Sequence, residues 1–195
     1  MSPKCTLAAI AACLSLAAVT ACGDGDSGAS AAGMATDYIE AASGIQDGYA
    51  LKLTVPRDVP SDPAANLMLM AVKTASVPSS SALNVPAYPG ARIMSTMGAS
   101  EMTVNGEKTM MWPSLAMLTN DEISKVAAFY QEKLSGWQHE EIIGNHMFWE
   151  GGPGTNPLDI SGQFQAVGLV ELGDTDTETK IWPGVKTRID IRYKM

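Results

Sequence analysis

Cysteine is nearly absent from this chain of 195 residues: there are three, Cys5, Cys13 and Cys22, all before residue 23. From Gly23 onward there is no thiol, so no disulfide, thiolate zinc cluster or cysteine nucleophile can be built there. The folded part must be held by its apolar core. Histidine is scarcer still, with only His139 and His146. Basic residues are few, 13 against 21 acidic, for a net charge of −8. A chain this acidic repels nucleic acid and anionic headgroups, so neither is expected as a partner. The longest apolar run, Thr6 to Val19, has about fourteen residues, where a spanning helix needs roughly twenty. Phosphate-loop, dinucleotide and GxSxG fingerprints are missing as well.

What is present begins with that short run. Lys4 precedes it, and Val19-Thr20-Ala21-Cys22 closes it. A charged start, a short apolar stretch and small residues at its end describe a secretory signal peptide. The four closing residues resemble the bacterial lipobox. That resemblance implies a diacylglyceryl group on the Cys22 thiol, cleavage between Ala21 and Cys22, and acylation of the new amine. One acyl chain gives marginal membrane binding and two give durable anchoring, so a diacylglyceryl group suffices at a single residue. Gly23 stands after the cysteine where aspartate would retain a lipoprotein in the inner membrane. By resemblance to enterobacterial sorting, the outer membrane is favoured, with the chain on the periplasmic side. The expected partners are the membrane, through the lipid on Cys22, and an envelope protein.

The rest divides by composition. Residues 1–21 form the signal and 22–36 a flexible tether, small and polar without periodicity. Residues 37–84 hold a strand in "YALKLTVP" and a short helix that Asp62 caps and Pro63 begins, with a buried strand over Leu67 to Val72 as the alternative. A linker then leads into an α+β domain over 85–195.

That domain opens with the turn Tyr88-Pro89-Gly90-Ala91, in which proline fixes φ at the second position and glycine permits positive φ at the third. "ARIMSTM" reads as a strand. Asn105-Gly106 joins two extended runs into a hairpin, with Pro113 marking an edge or bulge. The main helix lies in "TNDEISKVAAFYQEKLSGW". Thr119 and Glu122 fit a capping box, with Asn120 as the alternative N-cap; Ile123, Val126, Ala127, Tyr130 and Leu134 make one apolar face, and Gly136 suits a left-handed end. Gly144-Asn145 reads as a second hairpin turn between "QHEEII" and "HMFWE". "GQFQAVGLVEL" follows. The last strand alternates Val185, Thr187, Ile189, Ile191 and Tyr193 with Lys186, Arg188, Asp190, Arg192 and Lys194. The fold class expected is α+β, an antiparallel sheet of about five or six strands with one main helix on a face. Tyr88-Pro89-Gly90-Ala91, Phe129-Tyr130, Leu134 and Gly136-Trp137 together resemble a domain of small bacterial lipoproteins and periplasmic proteins. The resemblance implies this fold and location and no particular activity.

Residues able to do chemistry are thinly spread. "HEEIIGNH" lacks the second histidine four residues after the first that a helical zinc-protease motif requires. Both histidines read as solvated strand residues. Glu140 and Glu141 alternate to opposite faces. "GDTDTETK" lacks the glycine and glutamate of a calcium loop and reads as a solvated hairpin loop. The basic side of the last strand reads as a solvated face or a protected edge. Methionine is the distinctive residue. Met94, Met97, His146 and Met147 form the alternative metal set, a Cu(I) site of soft thioethers, against the expectation that methionine fills core space and that no metal or other cofactor is bound. The primary expectation is a lipid-anchored, non-catalytic binding or structural module, not an enzyme. A Met-rich Cu(I)-binding periplasmic protein is the alternative, and a small hydrolase using a histidine with a carboxylate is third.

Overall fold

A computed structural model of the chain describes residues 45–46, 48–50, 52–55, 61–104, 106–151 and 164–194. The expected signal over 1–21 and tether over 22–36, with Cys22, lie outside the described residues. The described part is α+β. Its elements, in order, are β1 (Ile45–Gln46), β2 (Tyr49–Ala50), α1 (Pro63–Thr74), α2 (Ser80–Leu83), β3 (Arg92–Met97), β4 (Ser100–Val104), β5 (Glu107–Met111), β6 (Ser114–Thr119), α3 (Ile123–Lys133), β7 (Gln138–Ile142), β8 (Asn145–Trp149), β9 (Ala166–Glu171), α4 (Thr177–Ile181) and β10 (Thr187–Arg192). Six strands form one antiparallel sheet in the order β3-β6-β10-β9-β8-β7. β4 and β5 pair separately, extending the β3–β6 hairpin beyond the sheet after breaks at Gly98–Ala99 and Trp112–Pro113.

The last strand lies inside the sheet, between β6 and β9. Its alternation serves both faces. Ile189 and Ile191 enter a core with Leu115 and Met117 of β6, Val167 and Leu169 of β9, Phe148 of β8, and Val126, Ala127 and Tyr130 of α3. The opposite face of β3, β6 and β10 is covered by α1 and α4. Ala65, Leu69 and Val72 of α1 pack with Met94, Leu118, Ile181 and Trp182. The face expected to be solvated is covered at its middle, at Arg188 and Asp190, while Lys186 and Lys194 at its ends are exposed, and β10 is no edge. The sheet is sandwiched, with α3 on one side and α1 and α4 on the other.

The described residues before position 84 belong to the same body. Tyr49 and Leu83 are buried in the α3-side core, and the Tyr49 hydroxyl donates to the Val85 carbonyl. Leu53 N donates to Ile93 O along the outer edge of β3. Of the two readings for 62–74 the helix is realised: the Asp62 carboxylate accepts from Ala65 N at 2.7 Å, and Pro63 opens the first turn.

The Tyr88-Pro89-Gly90-Ala91 turn forms, with Ala91 N donating to Tyr88 O and Gly90 at φ 81°. It places the Tyr88 ring edge-on to Phe129, 5.1 Å between centroids, while Phe129 meets Tyr130 in the same way. Helix α3 starts later than the capping box requires. Thr119 is consumed as the last residue of β6, opposite Thr187, and Glu122 occupies the N-cap without a capping bond from its side chain, which pairs with Lys186 instead. Gly136 does not take a left-handed conformation; the helix closes at Leu134, and Trp137 N donates to Leu134 O. Asp121, in the turn before the helix, accepts from the Tyr88 hydroxyl at 2.7 Å and from Lys125 Nζ at 2.8 Å.

Those two bonds, Lys125 first and Tyr88 second, hold the Asp121 carboxyl below its ordinary 3.8. A carboxylate with a lowered folded pKa stabilises above its unfolded value, and that stability is lost as pH falls through the folded one. In urea titrations, Asp121→Asn should destabilise the chain at about pH 6 and show a much smaller difference from the parent at about pH 3.

Candidate functional site

The β7–β8 hairpin brings the chain's two histidines together. Its register pairs Ile142 with Asn145, Glu141 with His146, Glu140 with Met147 and His139 with Phe148. The turn residues are therefore Ile143 and Gly144, at φ 51° and 76°, and not the Gly144-Asn145 pair expected. Two positive φ values make the primed turn that matches strand twist. His139 and His146 fall on the α3 side of the hairpin, on a diagonal across the strands. His139 Nε2 stands 3.0 Å from His146 Nδ1. The ring centroids are 5.3 Å apart and the planes within 9° of parallel. The centroid separation exceeds the nitrogen separation by about a ring's width, so the two nitrogens lie between the centroids and point at each other. The arrangement is end to end, an N–H···N bond in one shared plane.

The rest of the setting follows from neighbouring side chains. The His139 ring lies flat against Phe148, 4.4 Å between centroids and 13° from parallel. On its far side Gln131 of α3 places its amide 3.4 Å from His139 Nδ1. Burial and the neighbouring His146 push the His139 pKa below 6.5, against an opposing effect of Glu141. The hydrogen bonds of the two imidazoles go to each other and to Gln131 rather than to a carboxylate, so the acid–base pair a small hydrolase would need is not formed among the described residues. Glu140 and Glu141 do sit on opposite faces, as their alternation implied.

The alternative metal set is dispersed. Met94 is buried beneath α1, at the bulge between Ile93 and Ser95. Met97 ends the same strand. His146 and Met147 lie on β8, four strand spacings away across the sheet, roughly 19 Å. Met147 faces away from His146 and covers Gly168, whose added Cβ would stand 3.6 Å from the methionine methyl. These four side chains share no coordination shell. Among the described residues no group of three or more His, Cys, Asp or Glu is gathered around a common point.

A second charged group lies on the opposite face. "GDTDTETK" is not a plain loop: α4 forms within it and buries Glu178, which accepts from Arg188 Nη1 at 2.9 Å. Arg188 Nε donates to Asp190 at 2.9 Å. Asp190 holds the arginine charged, yet burial pushes the Asp190 carboxyl itself above its ordinary value. The group's geometry is closed, with one cation between two carboxylates under a helix, and it anchors α4 to the sheet. Beside α4 an open cleft of about 370 Å³ is lined by Glu122, Glu171, Asp174, Thr179, Gly184 and Lys186. Its one lysine is already paired with Glu122. Comparison of the chain with family models, with curated proteins and with solved structures gives no match.

Three outcomes follow from these geometries. Arg188→Met leaves two buried carboxylates facing each other and should cost about 3–5 kcal/mol in chemical denaturation. Asp190→Asn should cost less, because that carboxylate is itself disfavoured by burial. Ile143 is β-branched, 81% exposed and at positive φ. Ile143→Asn relieves that backbone strain and should stabilise the chain by about 1 kcal/mol.

Proposed function

We propose that this chain is a lipid-anchored cell-envelope protein. It carries its α+β domain on the periplasmic side of a membrane, the outer membrane where there are two. There it acts as a non-catalytic binding or structural module. The observation that carries the reading is Val19-Thr20-Ala21-Cys22 directly after a short apolar run and before a small, polar stretch. Cys22 lies well upstream of Ile45, where the described residues begin. A lipid there would hold the domain at a distance from the bilayer without entering its core. The acidic balance supports a covalent anchor over adsorption, because anionic headgroups repel such a surface. No helix among the described residues is long and apolar enough to cross a membrane. The non-catalytic reading is supported by the site chemistry: two imidazoles bonded to one another, and an arginine closed between carboxylates. An envelope protein is the partner proposed.

Cys22→Ala should move the protein from the membrane to the soluble fraction without changing its melting temperature. Blocked processing could retain an uncut signal, so the substitution is made behind a signal cut by the general signal peptidase. Fractionation with a high-salt wash reads the result. A Cys22→Ala protein that still sediments and resists the wash would overturn the lipid anchor. Crosslinking on intact envelopes, followed by recovery of the wild type, should enrich one defined envelope protein, and a chain recovered alone would count against the binding role.

A further inference from the structure

We propose that His139 and His146 form a binding site for one divalent first-row transition ion, Cu2+ in preference to Zn2+, on the α3-side face of the β7–β8 hairpin. The inference stands apart from the lipid anchor, since it rests on the hairpin alone. Imidazole nitrogen suits copper, nickel and zinc, and copper heads the divalent affinity order for such donors. The chain has two histidines, and the fold sets a nitrogen of each 3.0 Å from the other. Two imidazole nitrogens on one ion, each at about 2.0–2.1 Å, stand only slightly farther apart than that. The nitrogen separation therefore already suits a chelate, and the rings must reorient. The facing nitrogens separate by a few tenths of an ångström, and both rings tilt by roughly 35–45° off the line between them so that the lone pairs converge beside it. The His139 ring lies flat on Phe148 and turns within its own plane without losing the contact.

The proton balance is simple. In the free pair one facing nitrogen bears the hydrogen of the N–H···N bond and the other accepts it. The ion takes the place of that hydrogen. The displaced proton moves to the outer nitrogen of the same ring, or leaves to solvent from a ring that was charged. For His139 the outer nitrogen is Nδ1, and the Gln131 amide beside it can turn its oxygen to accept the new N–H. A ligating histidine held this way by its second nitrogen binds more firmly. Glu141 sits directly across from His146 on the same face, and its charge already acts on His139. Its charge favours a cation at the pair, and water fills the positions that the two imidazoles leave. The site differs from the dispersed thioether set in both ligands and metal: it uses His139 instead of the methionines and suits the borderline divalent ions instead of Cu(I).

The test uses the full chain in detergent, prepared without a histidine tag and with its cysteine thiols alkylated. Cu2+ and Zn2+ are titrated separately by calorimetry, and Cu2+ is followed by electron paramagnetic resonance. The wild type should bind one equivalent of Cu2+ with coupling to two imidazole nitrogens, and Zn2+ more weakly. His139→Gln and His146→Gln should each weaken Cu2+ by at least about tenfold, and the double variant should lose the equivalent. Gln131→Leu should weaken it by about tenfold or less, through orientation alone. The melting temperatures of the metal-free variants establish that they fold. Should one fail to, selective broadening of the His139 and His146 resonances by Cu2+ in the wild type reads the same site without mutation. Equal affinity in the wild type and the double variant, or broadening elsewhere, would overturn the proposal.

Discussion

The strand Thr187–Arg192 carries a row of apolar side chains on one face and a row of ionic ones on the other, and both rows are covered. Everything else in the fold accommodates that constraint. Ile189 and Ile191 demand a hydrophobic layer, which α3 completes. Arg188 and Asp190 demand counter-charges away from water, because an uncompensated buried charge costs several kcal/mol. Glu178 answers from α4, with its carboxylate on the Arg188 guanidinium. A helix of five residues is far too short to be stable alone. It exists because the ion pair and the Ile181 and Trp182 side chains fix it to the sheet, with Trp182 Nε1 donating to Thr54 O.

The α3 side is organised by a polar contact of a different kind. Tyr88, presented by the turn at Pro89-Gly90, packs its ring on Phe129 and reaches Asp121 with its hydroxyl. One residue thus ties the start of β3 to the entry of α3. Asp121 then holds the entry turn through Lys125 on the first turn of the helix. Tyr88, Phe129 and Tyr130 are three sides of one aromatic contact.

The histidine pair depends on a turn displaced by one residue. Had Gly144 and Asn145 been the turn residues, Ile143 would stand opposite His146, and His139 would lie four residues along the strand from that pairing, out of reach. With Ile143 and Gly144 in the turn, Glu141 takes that place and His139 is the next residue on the same face. The displacement puts a β-branched residue at positive φ, at a strain of about 1–3 kcal/mol. Pairing of β8 with β9 offsets it: His146 opposite Leu169 and Phe148 opposite Val167 send Phe148 into the core. A shift in β8 would expose that ring.

Much of the local structure was legible because it is written in short-range patterns. Alternation over residues 185–193, the β4–β5 hairpin at Gly106, the Asp62-Pro63 helix start and the apolar face of α3 each depend on neighbours within a few positions. Tertiary structure decided the remainder. Alternation says that the two faces of a strand differ, but it does not say that the charged face is open, so the basic row of β10 read as solvated until α1 and α4 were seen to cover it. Local chemistry favours asparagine and glycine in a turn, but the hairpin register is chosen by the burial of Phe148. Sequence spacing made Met94, Met97, His146 and Met147 look like a cluster, whereas strand order puts them at opposite ends of the sheet and on both faces. The pairing of His139 with His146 came from the same source: it needs a register that only packing against β9 and α3 could select.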